Sequence, residues 1–197
     1  NMEYCRQNMY RTTGCMQWQL NGSWPSFHRE LIDWYGEPKP AFYAYKRSMA
    51  DTLILADMEK YVYDGNELFC PEIYAVSESI EDESQVTASA VIYTRDMTEV
   101  YRKEEQVRFR KDTPQHLFNL ECAVPGNTPE GVFFLYLKLD AEKGTLSENI
   151  YWLGISPYTR PEEFIDLSGN SWHLQYGTEK KEEEWETAAV PGRPYRV

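Results

Sequence analysis

The sequence predicts a mainly β protein whose centre is an antiparallel sandwich over residues 51–156. A first segment, 1–50, has mixed strand and helix character, and 157–197 form a linker and tail. Three observations carry this. Ser84–Thr94 places Val86, Ala88, Ala90 and Ile92 at every second position, which puts them on one face of a strand. Val132–Leu139 is a strongly apolar strand of similar length. Breakers punctuate the stretch at Asp64-Gly65-Asn66, Glu81-Asp82-Glu83, Pro125-Gly126-Asn127 and Glu142-Lys143-Gly144. Strands at that spacing predict a sandwich of about seven strands.

The first segment obeys other rules. Glu3–Arg11 reads as the end of a helix, broken by Thr12-Thr13-Gly14. Cys15–Leu20 reads as a short strand with large residues on both faces, the pattern of strands buried on both sides in parallel sheets and barrels. Asn21-Gly22-Ser23 is turn chemistry. Phe27, Leu31, Ile32 and Trp34 then fall at helical spacing until Gly36-Glu37-Pro38-Lys39-Pro40 stops the pattern. Pro40 is placed to open a new helix over Ala41–Ala50, since its missing N–H costs nothing at a first helical position. In the tail, Ser156–Pro161 reads as a linker and Glu179–Glu186 as a solvated charge run, while Ser171–Tyr176 and Ala188–Val190 could be strands.

Composition excludes several functions. Hydrophobic residues make up 42% and aromatics 15%, with 15 Tyr and 6 Trp, so the chain can bury a core. Aromatic abundance serves either a dense core or a sugar-binding surface, because an aromatic face packs well on the apolar C–H face of a pyranose. Tyr93, Phe133, Phe134 and Trp152 alternate with apolar neighbours and are expected in the core. The net charge of −12 argues against a nucleic-acid groove and against an anionic membrane surface. No apolar run is long enough to span a bilayer. Asn1-Met2-Glu3-Tyr4 lacks the basic and apolar parts of a leader peptide. Cys5, Cys15, Cys70 and Cys122 show no Cys-x-x-Cys pair and read as buried thiols, with Cys5–Cys15 pairing left open. His28, His116 and His173 are scattered, so neither a metal site nor a cofactor is expected.

The densest signal is Gly14-Cys15-Met16-Gln17-Trp18-Gln19-Leu20-Asn21-Gly22-Ser23-Trp24-Pro25, where large aromatics alternate with amides. Buried amides need partners, either each other or a polar ligand. The match continues through Ser26–Tyr35, Lys39-Pro40-Ala41 and Tyr43–Arg47. This stretch resembles the last barrel strand, loop and closing helix of glycoside hydrolase family 2, in its β-mannosidase and exo-β-glucosaminidase branch. Asn149-Ile150-Tyr151-Trp152-Leu153 is similar to the closing strand of the immunoglobulin-like domain that follows the barrel in that family.

The resemblance implies an immunoglobulin-like antiparallel β-sandwich preceded by a strand–helix remnant of a (β/α)8 barrel. Family enzymes are several times longer, so it also implies a C-terminal fragment. Trp18 would stack under the sugar to be cleaved, with Asn21 and Trp24 at the pocket mouth. Gly22 and His28 depart from the mannosidase pattern, and His28 is nearer the glucosaminidase one. The family's nucleophile and acid/base carboxylates come from earlier strands, so no catalytic residue is assigned here. Glu30 and Asp33 read as helix-surface or helix-capping charges. Asn21-Gly22-Ser23 has the form of a glycosylation acceptor, read as coincidence. The expected partner is a β-linked oligosaccharide or glycoside bound by the parent enzyme. An orphaned barrel strand would expose ladder groups, so the chain is expected to dimerise through it. The alternative function is a standalone carbohydrate-binding or adhesion module. The tail could add strands to the sandwich, or open a jelly-roll sugar-binding domain as Ile165–Tyr176, Trp185 and Val190-Pro191-Gly192 suggest by resemblance.

Overall fold

Among the described residues, period-two patterning becomes ten strands. A computed structural model of the chain describes residues 2–25, 29–80, 84–126 and 131–156. Expectations for Phe27 and His28, for the turn at 81–83 and for all of 157–197 lie outside the described residues.

The strands are β1 (Thr52–Asp57), β2 (Val62–Asp64), β3 (Leu68–Phe69), β4 (Glu72–Ser77) and β5 (Ser84–Thr94), followed by β6 (Glu99–Phe109), β7 (Gln115–Asn119), β8 (Cys122–Ala123), β9 (Val132–Ala141) and β10 (Gly144–Ser156). They form a three-stranded sheet ordered β1-β4-β7, a five-stranded sheet ordered β2-β10-β9-β5-β6 and a small β3-β8 pair. The chain crosses between the two larger sheets, from β4 to β5 and from β6 to β7, which is the connectivity of an immunoglobulin-like sandwich. β9 and β10 turn through Glu142-Lys143, with Ala141 paired to Gly144 at φ +126°, a value that favours glycine.

Both larger sheets contribute to one core. Ile54, Ile73 and Ala75 come from the smaller, and Val86, Ala88, Ala90, Ile92, Phe133, Leu135, Leu137, Leu139 and Leu153 from the larger. Tyr63, Phe69 and Phe133 meet edge to face at one end, with centroids 5.0, 5.5 and 6.1 Å apart. The expectation that all four strand aromatics are core holds for Phe133 and fails for the other three. Phe133 is fully buried, but the pleat turns Phe134 and Trp152 to the opposite face, where Trp152 is 73% exposed. Tyr93 is half-buried on that same outward face.

The first segment contains two helices. α1 (Met2–Gln7) ends a turn earlier than the sequence suggests. Asn8 Nδ2 donates to the Tyr4 carbonyl, and Thr12 Oγ1 donates to those of Cys5 and Asn8, so side chains close the last turn. α2 (Pro40–Ser48) begins at the predicted proline, after extended Lys39. Arg6 joins α1 to the end of α2, donating to the carbonyls of Ser48, Ala50 and Asp51.

A buried polar network ties α1 to the sandwich. Glu3 accepts from Asn149 Nδ2 at 2.8 Å and from the Tyr151 hydroxyl at 2.9 Å. Asn149 also donates to the Ile54 carbonyl, and the Ala56 N–H donates to Tyr151 Oη at 3.0 Å. The network uses an edge of β1 that would otherwise leave backbone groups unpaired. Met9 packs beside it on the outer cluster of Leu53, Leu55 and Val76.

Two expectations for the first segment are corrected. Cys15–Leu20 is not a strand, and it is not buried on both faces: Met16 is 97% exposed and Leu20 is exposed too. A doubly buried strand needs neighbours on both edges, and among the described residues only its end finds any, when Leu31 and Ile32 donate to the Gln19 and Leu20 carbonyls. The described part of 27–35 is not helical. Its backbone groups bond sideways instead: Gly22 N–H donates to the Ile32 carbonyl and Lys39 N–H to that of Leu31. Asp33 Oδ1 then accepts from the Tyr35 and Glu37 N–H groups, both at 2.9 Å, an Asx-type turn completed by Gly36 at φ +85°.

Candidate functional site

The loop 15–24 presents the three residues singled out from the sequence. Trp18 is 78% exposed, Trp24 is 66% exposed, and Asn21 is exposed at an isolated bridge to Ile32. They share one exposed stretch, and among the described residues no side-chain bond joins them. The peptide bond between Trp18 and Gln19 is cis.

What holds this loop lies beneath it. Gln17 Nε2 donates to the Arg29 carbonyl at 3.3 Å. Gly22 is buried, and a Cβ there would sit 3.2 Å from the Trp34 backbone nitrogen and 3.5 Å from Glu30 Cγ. The position therefore favours glycine by close approach of backbone to backbone. Glu30, expected on a helix surface, is instead 3% exposed and accepts from Lys39 Nζ at 2.6 Å. A carboxylate enters an interior only when a cation and hydrogen bonds hold it. Asp33 caps a turn rather than a helix. Helical spacing across 27–35 puts Glu30 on a helix surface, but the backbone of this segment bonds sideways to 19–22, and the signal in the sequence for a buried pair is the lysine nine positions on.

The remaining chemistry is structural. The Tyr151 hydroxyl is pushed well above its ordinary pKa, first by burial and then by the Glu3 carboxylate beside it. All four cysteines are free thiols. Burial pushes the Cys122 thiol up to about 11, the opposite of an activated nucleophile. A cleft of about 410 Å³ beside β2 and β3 is lined by Asp57, Lys60, Tyr63, Glu67 and Glu72. There Lys60 pairs with Glu67 at 2.6 Å, and its hydrogen bond holds that carboxyl below the usual range. Among the described residues, no group of three or more His, Cys, Asp or Glu side chains could hold a metal, and no helix is long and apolar enough to cross a membrane.

No family model matches the chain. Whole-chain comparison does find relatives. An exo-β-D-glucosaminidase from Hypocrea jecorina is 25% identical over 162 residues, covering 82% of this chain and 16% of its own length. One from Arthroderma benhamiae is 28% identical over 166 residues, with the same coverage. The fold recurs in a β-D-mannosidase from Dictyoglomus thermophilum, with a TM-score of 0.57 and 21% identity over 78% of this chain and 18% of the other. It recurs again in an exo-chitosanase from Amycolatopsis orientalis, with a TM-score of 0.61 and 20% identity over 79% and 18%. This chain resembles part of a glycoside hydrolase family 2 enzyme. The relatives it resembles are exo-β-D-glucosaminidases and, in fold, a β-D-mannosidase, and the chain spans about 16% of the length of the curated relatives it matches.

Proposed function

We propose that the chain is the C-terminal part of a retaining β-glycosidase that hydrolyses β-linked sugars. In this reading 1–50 complete a (β/α)8 barrel, 51–156 are its immunoglobulin-like sandwich, and 157–197 form a linker and tail. The alignment of 82% of the chain with 16% of an exo-β-D-glucosaminidase carries the proposal. The exposure of Trp18 and Trp24 on a loop pinned from below supports their place in a sugar pocket completed by the rest of the parent. A standalone module, the competing reading, has no use for the loop and the helix after it.

A retaining glycosidase needs two carboxylates about 5 Å apart, one nucleophile and one acid/base. The prominent carboxylates of the first segment are committed elsewhere: Glu3 to Asn149 and Tyr151, Glu30 to Lys39. The chain alone should therefore be inert. Incubation of the purified chain with nitrophenyl β-D-glucosaminide and β-mannoside should release no nitrophenol, and reproducible release would overturn the fragment reading. In the full-length parent, Trp18→Ala should lower kcat/KM by about ten- to a hundredfold while the protein stays folded, as expected for loss of a stacking contact of about 1–3 kcal/mol. The exposed loop also offers a face for self-association, and sedimentation of the chain should show a dimer that Trp18→Ala weakens.

A further inference from the structure

We propose that the outward face of the five-stranded sheet is a second carbohydrate-binding surface, one that takes a β-linked chain of amino sugars. The choice of amino sugar rests on the glycosidase reading above; the geometry of the face does not.

The cross-strand register builds the surface. Tyr93 pairs with Phe134, and Phe134 with Trp152, so three aromatic residues from β5, β9 and β10 lie in one row. The row crosses three strands, about 10 Å at ordinary strand spacing, long enough for more than one sugar ring. The solvent face of an antiparallel sheet is ordinarily polar, so a tryptophan left 73% exposed there is unusual. The indole is also held in place. Phe134 stands nearly perpendicular to it, with centroids 5.3 Å apart and planes at 82°. In the next row Val91 pairs with Tyr136 and Tyr136 with Ile150; Val91 is buried, and Tyr136 and Ile150 keep partial exposure beside the aromatic row.

Charge on the face suits an amino sugar. Arg102 is shared between Glu99 at 2.6 Å and Glu104 at 3.0 Å, which leaves one carboxylate in excess. Glu148 accepts from the Tyr136 hydroxyl at 2.5 Å, and Lys138 is matched by Asp140 at 2.8 Å. The strip is thus flanked by surplus negative charge on a chain of net charge −12. A neutral glycan would use only the aromatic row. A glucosamine chain offers apolar C–H faces to the rings, and ammonium groups both to the carboxylates and to the indole face.

The test is calorimetric titration of the full chain with a β-1,4-linked glucosamine hexamer and with its N-acetylated counterpart. The glucosamine hexamer should bind, and Trp152→Ala should weaken it about tenfold without lowering Tm, because the ring is exposed. Glu148→Gln should weaken it by about threefold, and Tyr43→Ala on α2 should change nothing. Unchanged binding by Trp152→Ala would overturn the proposal, as would equal affinity for the acetylated hexamer. Binding lost in Trp18→Ala but kept in Trp152→Ala would leave the glycosidase reading standing and remove this one. Trp152-dependent binding together with a parent that cleaves no β-glycoside would do the reverse. A dimer that Trp152→Ala dissolves, with no sugar bound, would assign the face to a second copy and also overturn it.

Discussion

The segment before the sandwich is richer in aromatic residues than the sandwich, and the two use them in opposite ways. In the sandwich, Phe69, Phe109 and Phe133 are sealed between sheets whose strands find their own partners. In the first segment, Trp18, Trp24, Trp34, Tyr35 and Tyr43 face outward, and Leu31 is the one buried apolar residue among those described. That segment is held by backbone bonds between 19–22 and 31–32, by the Glu30–Lys39 pair and by the clasps of Arg6 and Glu3. The difference teaches how each part treats its rings: the sandwich seals most of them between its sheets, while the loop leaves its own in solvent, where the proposed parent enzyme would cover them.

The comparison can be broken most sharply in the core. Phe133→Ala removes the centre of the edge-to-face trio and should cost about 3–5 kcal/mol in urea unfolding, because the two sheets can collapse only partly into the cavity. The next effect belongs to the first segment. Lys39→Ala leaves the buried Glu30 carboxylate without its cation and should cost about 2–3 kcal/mol, below the value for a fully enclosed pair since Lys39 keeps some exposure. The loss should register as faster local opening around 19–39, measured by amide exchange, with the sandwich unaffected.

Between the two regions sits Tyr151. Its hydroxyl stays protonated in the fold at pH values where an unfolded tyrosine, near pKa 10, ionises. The sign follows: the folded form holds the proton more tightly, so this contribution is complete below about pH 10 and is lost as pH rises through the folded pKa. Tyr151→Phe should cost about 1–2 kcal/mol at neutral pH by stranding its hydrogen-bond partners, and it should flatten the alkaline fall in Tm. Smallest of all, Trp18→Ala should change stability by less than about 0.5 kcal/mol, as for an exposed position. A large loss of Tm would place the ring in a core.

Legibility followed locality. The strands around Val86–Ile92 and Val132–Leu139 were readable because one buried face imposes a two-residue period, and α2 because Pro40 fixes its first turn. Cys15–Leu20 misled because large residues on both faces imply cover on both faces, and the cover is absent from the described chain. Glu3 gave no signal, since its partners Asn149 and Tyr151 are far away in sequence. Tyr93, Phe134 and Trp152 have apolar neighbours in sequence, but the pleat counted from buried Ile92, Phe133 and Leu153 turns all three outward. For the candidate site, residue types were readable, but burial of Gly22 and Glu30 depends on long-range contacts that periodicity does not encode.

The central claim, that the sandwich seals its core between its own sheets while the loop, as proposed, is one side of a larger site, is tested most directly by residue-resolved hydrogen exchange on the purified chain. Amides of β5 and β9 should exchange only through global unfolding, while those of 15–20 should exchange at least about a thousandfold faster, near the rate of unstructured peptide. Protection of 15–20 equal to that of β9 would contradict the claim, because the loop would then be finished without any further polypeptide.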